Sequence, residues 1–306
     1  MKPISTARYD VNVVVPYRLD LTVSVLRRLS TNLVDVLTPE GEYVRALGGV
    51  RTVVVARVAQ VRPEALAITL EGHTTEHSQA LAVICRMLGV DRELPHFDRA
   101  ARGIPWLRQL AVRMRGVKPP RYPCLWEACV NAIVFQQVSL ASASAILRRM
   151  IMSLSAPIER GGMVLRAFPS VERFARAHDD VLRADGLSTN KLATLRRVAE
   201  ALRSNTLDEA TLELRPSADA AALLCRIKGI GPWTATLILL RGLGRLDVFP
   251  MNDTSVARNL AAVAGAALID IDHALSALGP QRGMLYYHLL LARLDARGEV
   301  GRASVP

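Results

Sequence analysis

The sequence predicts an α+β protein: a small antiparallel sheet backed by helices, followed by an all-helical region. Three observations predict it. Strand-like runs crowd residues 42–70 with short connections between them, which favours antiparallel neighbours over crossovers. Helical stripes lie on either side of these runs. Beyond about residue 96 alternation disappears, and an alanine- and leucine-rich texture with helical periods takes over. The expected division is residues 1–95 and 96–306.

The elements follow in order. Val11, Val13 and Val15 alternate before Pro16 interrupts them, and Leu21, Val25 and Leu29 recur at helical spacing. Three strands are expected at Glu42–Leu47, Thr52–Val61 and Ala65–Leu70, the last with Leu66, Ile68 and Leu70 on one face. Leu81, Ile84, Cys85 and Leu88 then make a helical stripe. Arg115–Pro123 breaks the chain before a helix starting near Leu125, and Ala156–Pro169 reads as irregular, with Gly161-Gly162 and two prolines. Leu192, Leu195, Val198, Ala199 and Leu202 form an amphipathic stripe.

Half of the 306 residues are hydrophobic, so a sizeable core is available. No run of eighteen apolar residues occurs, which argues against a membrane span. A cytoplasmic, nucleoid-associated protein is expected. The formal net charge is +11, and only Lys2, Lys118, Lys191 and Lys228 are lysines among the 39 basic residues. A positive surplus suits a polyanion, because each phosphate contact releases condensed counterions. An anionic membrane or an acidic protein would serve the charge equally well. Cys85, Cys124, Cys129 and Cys225 form no CxxC pair and have no histidines at zinc-finger spacing, so buried thiols are expected and no metal site.

The most informative segment is Lys228-Gly229-Ile230-Gly231-Pro232-Trp233-Thr234-Ala235, between a helical run ending at Ile227 and a second apolar helix. Two glycines allow a very tight turn, Pro232 suits the first position of the second helix, and Ile230 can plug the pair together. The unpaired N–H groups at the start of the second helix can hold a phosphate, with Lys228 adding charge beside them. An ordinary helix–turn–helix corner would need no more than one GxG.

Asp253 stands twenty residues after Trp233, in Val248-Phe249-Pro250-Met251-Asn252-Asp253-Thr254, where a helix resumes at Thr254 or Ser255. It could be a plain N-cap. The same helix terminus also keeps a carboxylate ionised, the state needed to stabilise positive charge on a deoxyribose as its base departs. Capping and catalysis are compatible.

The run KGIGPWTA followed by DVFPMND resembles the helix-hairpin-helix-GPD superfamily of DNA glycosylases: hairpin, Gly/Pro-rich loop, catalytic Asp. Upstream, Ala132 to Ser139 (AIVFQQVS) resembles the segment that lines the family's damaged-base pocket and wedges the helix open. The likeness is strongest to the 3-methyladenine DNA glycosylase II (AlkA-like) branch. It covers about Trp106 to Leu291 well and implies a TATA-binding-protein-like sheet domain before the helix-hairpin-helix domain.

The resemblance implies roles by position. Asp253 is the catalytic carboxylate. Lys228, Gly229, Ile230 and Gly231 grip phosphate, joined by Thr234, Lys191 and Arg282 as DNA-contacting residues. Gln137 is the wedge that fills the space of a flipped nucleotide, or a polar residue in an ordinary helix junction. Phe135, Gln136, Trp233, Leu237 and Gln281 line the base pocket. Trp233 replaces the Schiff-base lysine of the bifunctional branch, so lyase chemistry is disfavoured; core packing would also account for it. Arg282 could equally be a solvated helix-end residue. Gln281 and Leu237 stand where aromatic residues are common in the family, and Phe135, Trp106, Trp126 or Trp233 would have to compensate.

The expected function is therefore a monofunctional DNA glycosylase acting as a monomer on duplex DNA containing a damaged base, releasing alkylated purines by hydrolysis. No cofactor is implied beyond a monovalent cation that could bridge hairpin carbonyls and phosphate. The rivals are a non-catalytic binder of distorted DNA, a bifunctional glycosylase/lyase, a helical scaffold for an acidic protein, and a glycosylase for oxidised or deaminated bases.

Overall fold

A computed structural model of the chain describes residues 4–48, 53–251, 254–264 and 269–304. Alternation decides its sheet. Strands β1 (Ile4–Asn12), β2 (Val36–Leu37), β3 (Tyr43–Gly48), β4 (Val53–Arg62) and β5 (Ala65–His73) pair in the order β1-β5-β4-β3-β2. Every pairing is antiparallel. On one face Val54, Ala56, Val58, Leu66, Ile68 and Leu70 pack beneath helices α1 (Leu19–Arg27) and α2 (Thr74–Leu88). The buried stripe of α2 is His77, Ala80, Ile84, Met87 and Leu88, with Leu81 and Cys85 only half-buried. The helix is thus rotated from the expected stripe so that its smaller residue Ala80 meets the sheet.

The other sheet face carries an element that the sequence hides. Within the irregular stretch, β6 (Ile158–Arg160) and β7 (Met163–Leu165) form a two-stranded hairpin. Its Leu165 joins Val36, Val44, Ala46 and Val55 in a small separate core, and Arg160 pairs with Glu71 at 3.0 Å. Three-residue strands are too short to show a period, which is why composition alone reads them as loop.

The remaining helices are α3 (Pro95–Gly103), α4 (Pro105–Arg113), α5 (Leu125–Val134), α6 (Leu140–Leu154), α7 (Val171–Arg176), α8 (Asp179–Ala184), α9 (Thr189–Arg203), α10 (Glu209–Glu213), α11 (Ser217–Cys225), α12 (Pro232–Gly242), α13 (Thr254–Ala264), α14 (Ile271–Leu278) and α15 (Met284–Asp295). Every residue of α5 is buried, Glu127 and Asn131 included, and a helix buried on all sides belongs in the middle of a bundle. It packs against α9 and α12. A second core gathers α3, α4, α14 and α15 around Leu21 and Val25 of α1. Among the described residues no helix is long and apolar enough to cross a membrane.

A buried ionic network ties the sheet to α5. Arg45 of β3, 1% exposed, reaches Asp35 at 2.5 Å and Glu127 of α5 at 2.6 Å, while the Tyr43 hydroxyl donates to Asp35. One guanidinium serves two carboxylates. Burial pushes Glu127 up to about 7 despite Arg45, because desolvation penalises its charged form more than the shared cation favours it. Phe135 lies at the C-terminal end of this anchored helix, so the network holds the helix that presents the candidate site.

Candidate active site and nucleic-acid interface

The hairpin forms as its residue types require. Helix α11 ends at Cys225, two residues earlier than the apolar run suggests, and α12 begins at Pro232 with Gly231 as N-cap. The two glycines do different things. Gly229 has φ +104, and a β-carbon built there would collide with the Thr194 side chain of α9. Gly231 has ordinary extended backbone, φ −94 and ψ 176, with nothing within 4 Å of a built β-carbon. The expectation that both glycines serve the turn's conformation is therefore corrected: only Gly229 does. Ile230, 4% exposed, plugs the core between the helices. No side chain caps α12, and helix geometry leaves the first-turn N–H groups without intrahelical partners. Lys228 is exposed at the turn, where Arg197 of α9 donates to its carbonyl at 3.1 Å.

The loop joining α5 to α6 stands opposite. Lys191 donates to the Val134 carbonyl at 2.8 Å and so closes the end of α5; partial burial lowers the pKa of its ammonium. Gln137 is exposed and has φ +54, a conformation that costs a non-glycine residue about 1–2 kcal/mol. Ser139 caps α6 by accepting from the Ser142 N–H at 3.0 Å. Gln136 bridges the two halves: its amide donates to the Thr234 hydroxyl at 2.7 Å and to the Gly229 carbonyl at 3.1 Å.

Between loop and hairpin runs a groove of about 930 Å³, lined by Gln137, Val138, Asn190, Gly229, Gly231 and Arg258 among others. Phe135, Val138, Trp233 and Arg293 line both this groove and a smaller pocket of about 70 Å³. Leu237, Tyr286 and Arg28 complete the smaller pocket's walls. The Arg28 guanidinium lies 3.7 Å from the centre of the Phe135 ring.

The structure thus brings Phe135, Gln136, Gln137, Trp233, Leu237 and the hairpin together, with three changes of role. Gln136 braces the outer groove instead of lining the smaller pocket. Thr234 is 2% exposed and accepts from Gln136, so its side chain acts as an internal brace at the groove's edge. Gln281 is not in the pocket at all: it accepts from the Phe97 N–H at 2.7 Å and donates to the Glu93 carbonyl at 3.1 Å, capping α3. Arg282 bonds the Gly279 carbonyl at 2.8 Å in its own turn and does not line the groove. Neither spare tryptophan compensates for the missing aromatics. Trp126 is buried against Phe174 with its indole N–H on the Pro169 carbonyl, and Trp106 packs on the second helical core. The catalytic candidate Asp253 lies outside the described residues; α13 starts immediately after it, at Thr254.

Sequence reading missed Arg28, Tyr286, Arg197 and Arg258. Arg197, Arg258 and Tyr286 carry no motif signal. Arg28 carries a faint one, since the pair Arg27-Arg28 closes a leucine- and valine-rich helix.

Residues 130–270 match the model of the HhH-GPD superfamily base excision DNA repair protein. A DNA-3-methyladenine glycosylase of Bacillus subtilis is 29% identical over 56% of this chain and 56% of its own length. DNA-3-methyladenine glycosylase 2 of Escherichia coli is 26% identical over 85% of this chain and 89% of its own. The 3-methyladenine DNA-glycosylase structure from Archaeoglobus fulgidus superposes with TM-score 0.79 at 23% identity, covering 94% of this chain and 99% of that one. It therefore shares the fold. The chain spans about half or less of the length of the first curated relatives it matches.

Proposed function

The chain belongs to the HhH-GPD superfamily, and we propose that it is a monofunctional DNA glycosylase. In this reading it acts as a monomer on duplex DNA and releases a damaged base by hydrolysis. One observation carries the proposal: the groove between the hairpin and Gln137 shares the walls Phe135, Val138, Trp233 and Arg293 with a smaller pocket. Backbone N–H groups at the start of α12, with Lys228, would clamp phosphate. Gln137 would fill the space left by the extruded nucleotide. Asp253, unprotonated, would stabilise positive charge developing on the sugar and orient the attacking water. The C1′–N bond breaks with its electron pair left on the base, and the water oxygen bonds to C1′. The water proton is released to solvent when the departing base is a cationic alkylated purine, which leaves neutral, and ends on the base when that base is neutral in DNA.

The names of the relatives point to alkylated purines as the substrate class. Such bases are cationic and leave readily, so one carboxylate could suffice. A second reading, excision of neutral oxidised or deaminated bases, is favoured by the arginine in the pocket wall. Trp233 supports hydrolysis over imine chemistry, because an indole cannot form a Schiff base. The reaction needs no cofactor; a monovalent cation at the hairpin would share the Lys228 and Gly229 carbonyls with Arg197 and Gln136.

The test is a panel of duplexes, each with one defined lesion, assayed for free base and for borohydride-trapped adduct. Free base without trapped adduct is expected. Asp253→Asn should abolish release while duplex binding persists and still weakens steeply with salt. Base release unchanged in that variant would overturn the mechanism.

A further inference from the structure

Arg28 is the least expected group in the pocket. It comes from the sheet-bearing end of the chain, as the residue that closes α1. It is 6% exposed, yet its Nη1 is buried without a hydrogen-bond partner. Its backbone has φ +62, a region that an arginine occupies only against resistance. Asn205, of a residue type that tolerates such angles, is the only other described non-glycine residue with positive φ besides Gln137. Arg28 and Gln137 therefore place two residues of strained backbone in adjoining cavities, Arg28 in the smaller pocket and Gln137 in the groove that shares its walls.

Among the described residues no carboxylate acts on Arg28; the titratable groups acting on it are Tyr122, Tyr286 and Arg241. Arg241 is itself buried, lies 4.8 Å over the Tyr122 ring, and keeps two nitrogens unpartnered. Burial pulls the Arg28 pKa down from its ordinary value, but a guanidinium starting so high stays protonated at neutral pH. Two cations thus stand behind the base pocket, one of them stacked on an aromatic wall.

We infer that Arg28 is a specificity-determining residue that extends the pocket to neutral bases bearing a carbonyl oxygen. The inference rests on the glycosylase reading above and names the substrate class. A neutral base must depart carrying the electron pair of the broken C1′–N bond, and so as an anion until water's proton reaches it. A cation fixed in a water-poor pocket stabilises that charge as it develops, and Nη1 gains the acceptor it lacks. A cationic alkylated purine departs neutral. It gains nothing from Arg28 and meets a like charge in the pocket. Arg28 also occupies a face of Phe135 that a cationic base would otherwise use.

The experiment compares single-turnover release of hypoxanthine, neutral with a carbonyl, and of 3-methyladenine, cationic without one, by the full chain. For Arg28→Met, which keeps an unbranched apolar stem, hypoxanthine release should fall at least 10-fold more than 3-methyladenine release. Arg28→Lys, which keeps the charge, should recover part of the hypoxanthine rate. Thermal melting confirms that both variants fold. Equal losses on both lesions, or no change on either, would overturn the role of Arg28 while leaving the glycosylase reading intact. A wild-type chain that frees 3-methyladenine but no hypoxanthine would overturn it too. Release of no base from any lesion by the wild type would sink the glycosylase reading itself.

Discussion

The Gln136 side-chain amide donates to the Thr234 hydroxyl at 2.7 Å, and the same nitrogen reaches the Gly229 carbonyl at 3.1 Å. One side chain therefore sets the separation between the loop carrying Gln137 and the hairpin that would hold phosphate. Because Thr234 is buried, the Gln136–Thr234 bond is partly shielded from water, while the bond to Gly229 is exposed. Gln136→Ala should slow single-turnover base release by about 10-fold, close to the 1.4 kcal/mol expected for losing these hydrogen bonds. Thr234→Val removes the same link from the other side. A double-mutant cycle on release rate should show strong coupling; strictly additive effects would mean that the bridge does not position the loop.

Gln137 sets stability against function. Its φ of +54 is costly for glutamine and free for glycine. In Gln137→Gly, relief of about 1–2 kcal/mol of strain is offset by about 0.5–1 kcal/mol of extra chain entropy in the unfolded state. The melting temperature should hold or rise slightly, while base release from paired duplex falls about 10-fold for want of a wedge. Release from a lesion in an already unpaired strand should fall much less. Equal losses on both substrates would argue against wedging.

The two hairpin glycines should respond differently to alanine. Gly229→Ala meets both a positive φ and the Thr194 side chain, and should destabilise the fold by about 2–3 kcal/mol. Gly231→Ala meets neither. Its stability should change by less than about 1 kcal/mol, while its methyl group, standing at the open start of α12, weakens duplex binding. Chemical denaturation and a binding titration at fixed salt separate the two effects.

Glu127 predicts a pH dependence of stability. Its folded-state value of about 7 lies above the ordinary 4.5. Between these values the folded protein retains a proton that the unfolded chain releases. The contribution is complete below about pH 4.5 and is lost as pH rises toward 7, at up to about 1.4 kcal/mol per pH unit. Arg45, Asp35 and Arg241 are the charged groups acting on it. Glu127→Gln, which preserves an acceptor for Arg45, should remove this slope. Relative to wild type, the variant therefore becomes more stable as pH rises from 5 to 7. Parallel pH profiles would place the proton elsewhere.

The fold and the line of the site were legible in the sequence because they rest on local chemistry. Alternation in Leu66, Ile68 and Leu70 marks a half-buried strand, and the Gly229–Pro232 run marks a turn and a helix start. Roles that depend on which surfaces meet were not legible. Family resemblance puts Gln281 at a pocket position, yet the packing of α3 against its turn gives it an N-terminus to cap. Trp126 offers an aromatic ring, but the Pro169 carbonyl and Phe174 hold it elsewhere.

By itself the sequence determined that a basic chain would carry a tight Gly/Pro turn opening a helix and a carboxylate just before another helix, since each is written in neighbouring residues. Tertiary structure alone decided that Arg28, more than a hundred positions before Phe135, closes the same pocket. The reason is that a charge changes its meaning with its surroundings. An arginine at the end of a helix is an ordinary surface residue until folding removes its water and sets an aromatic ring against it, and no local pattern records that event.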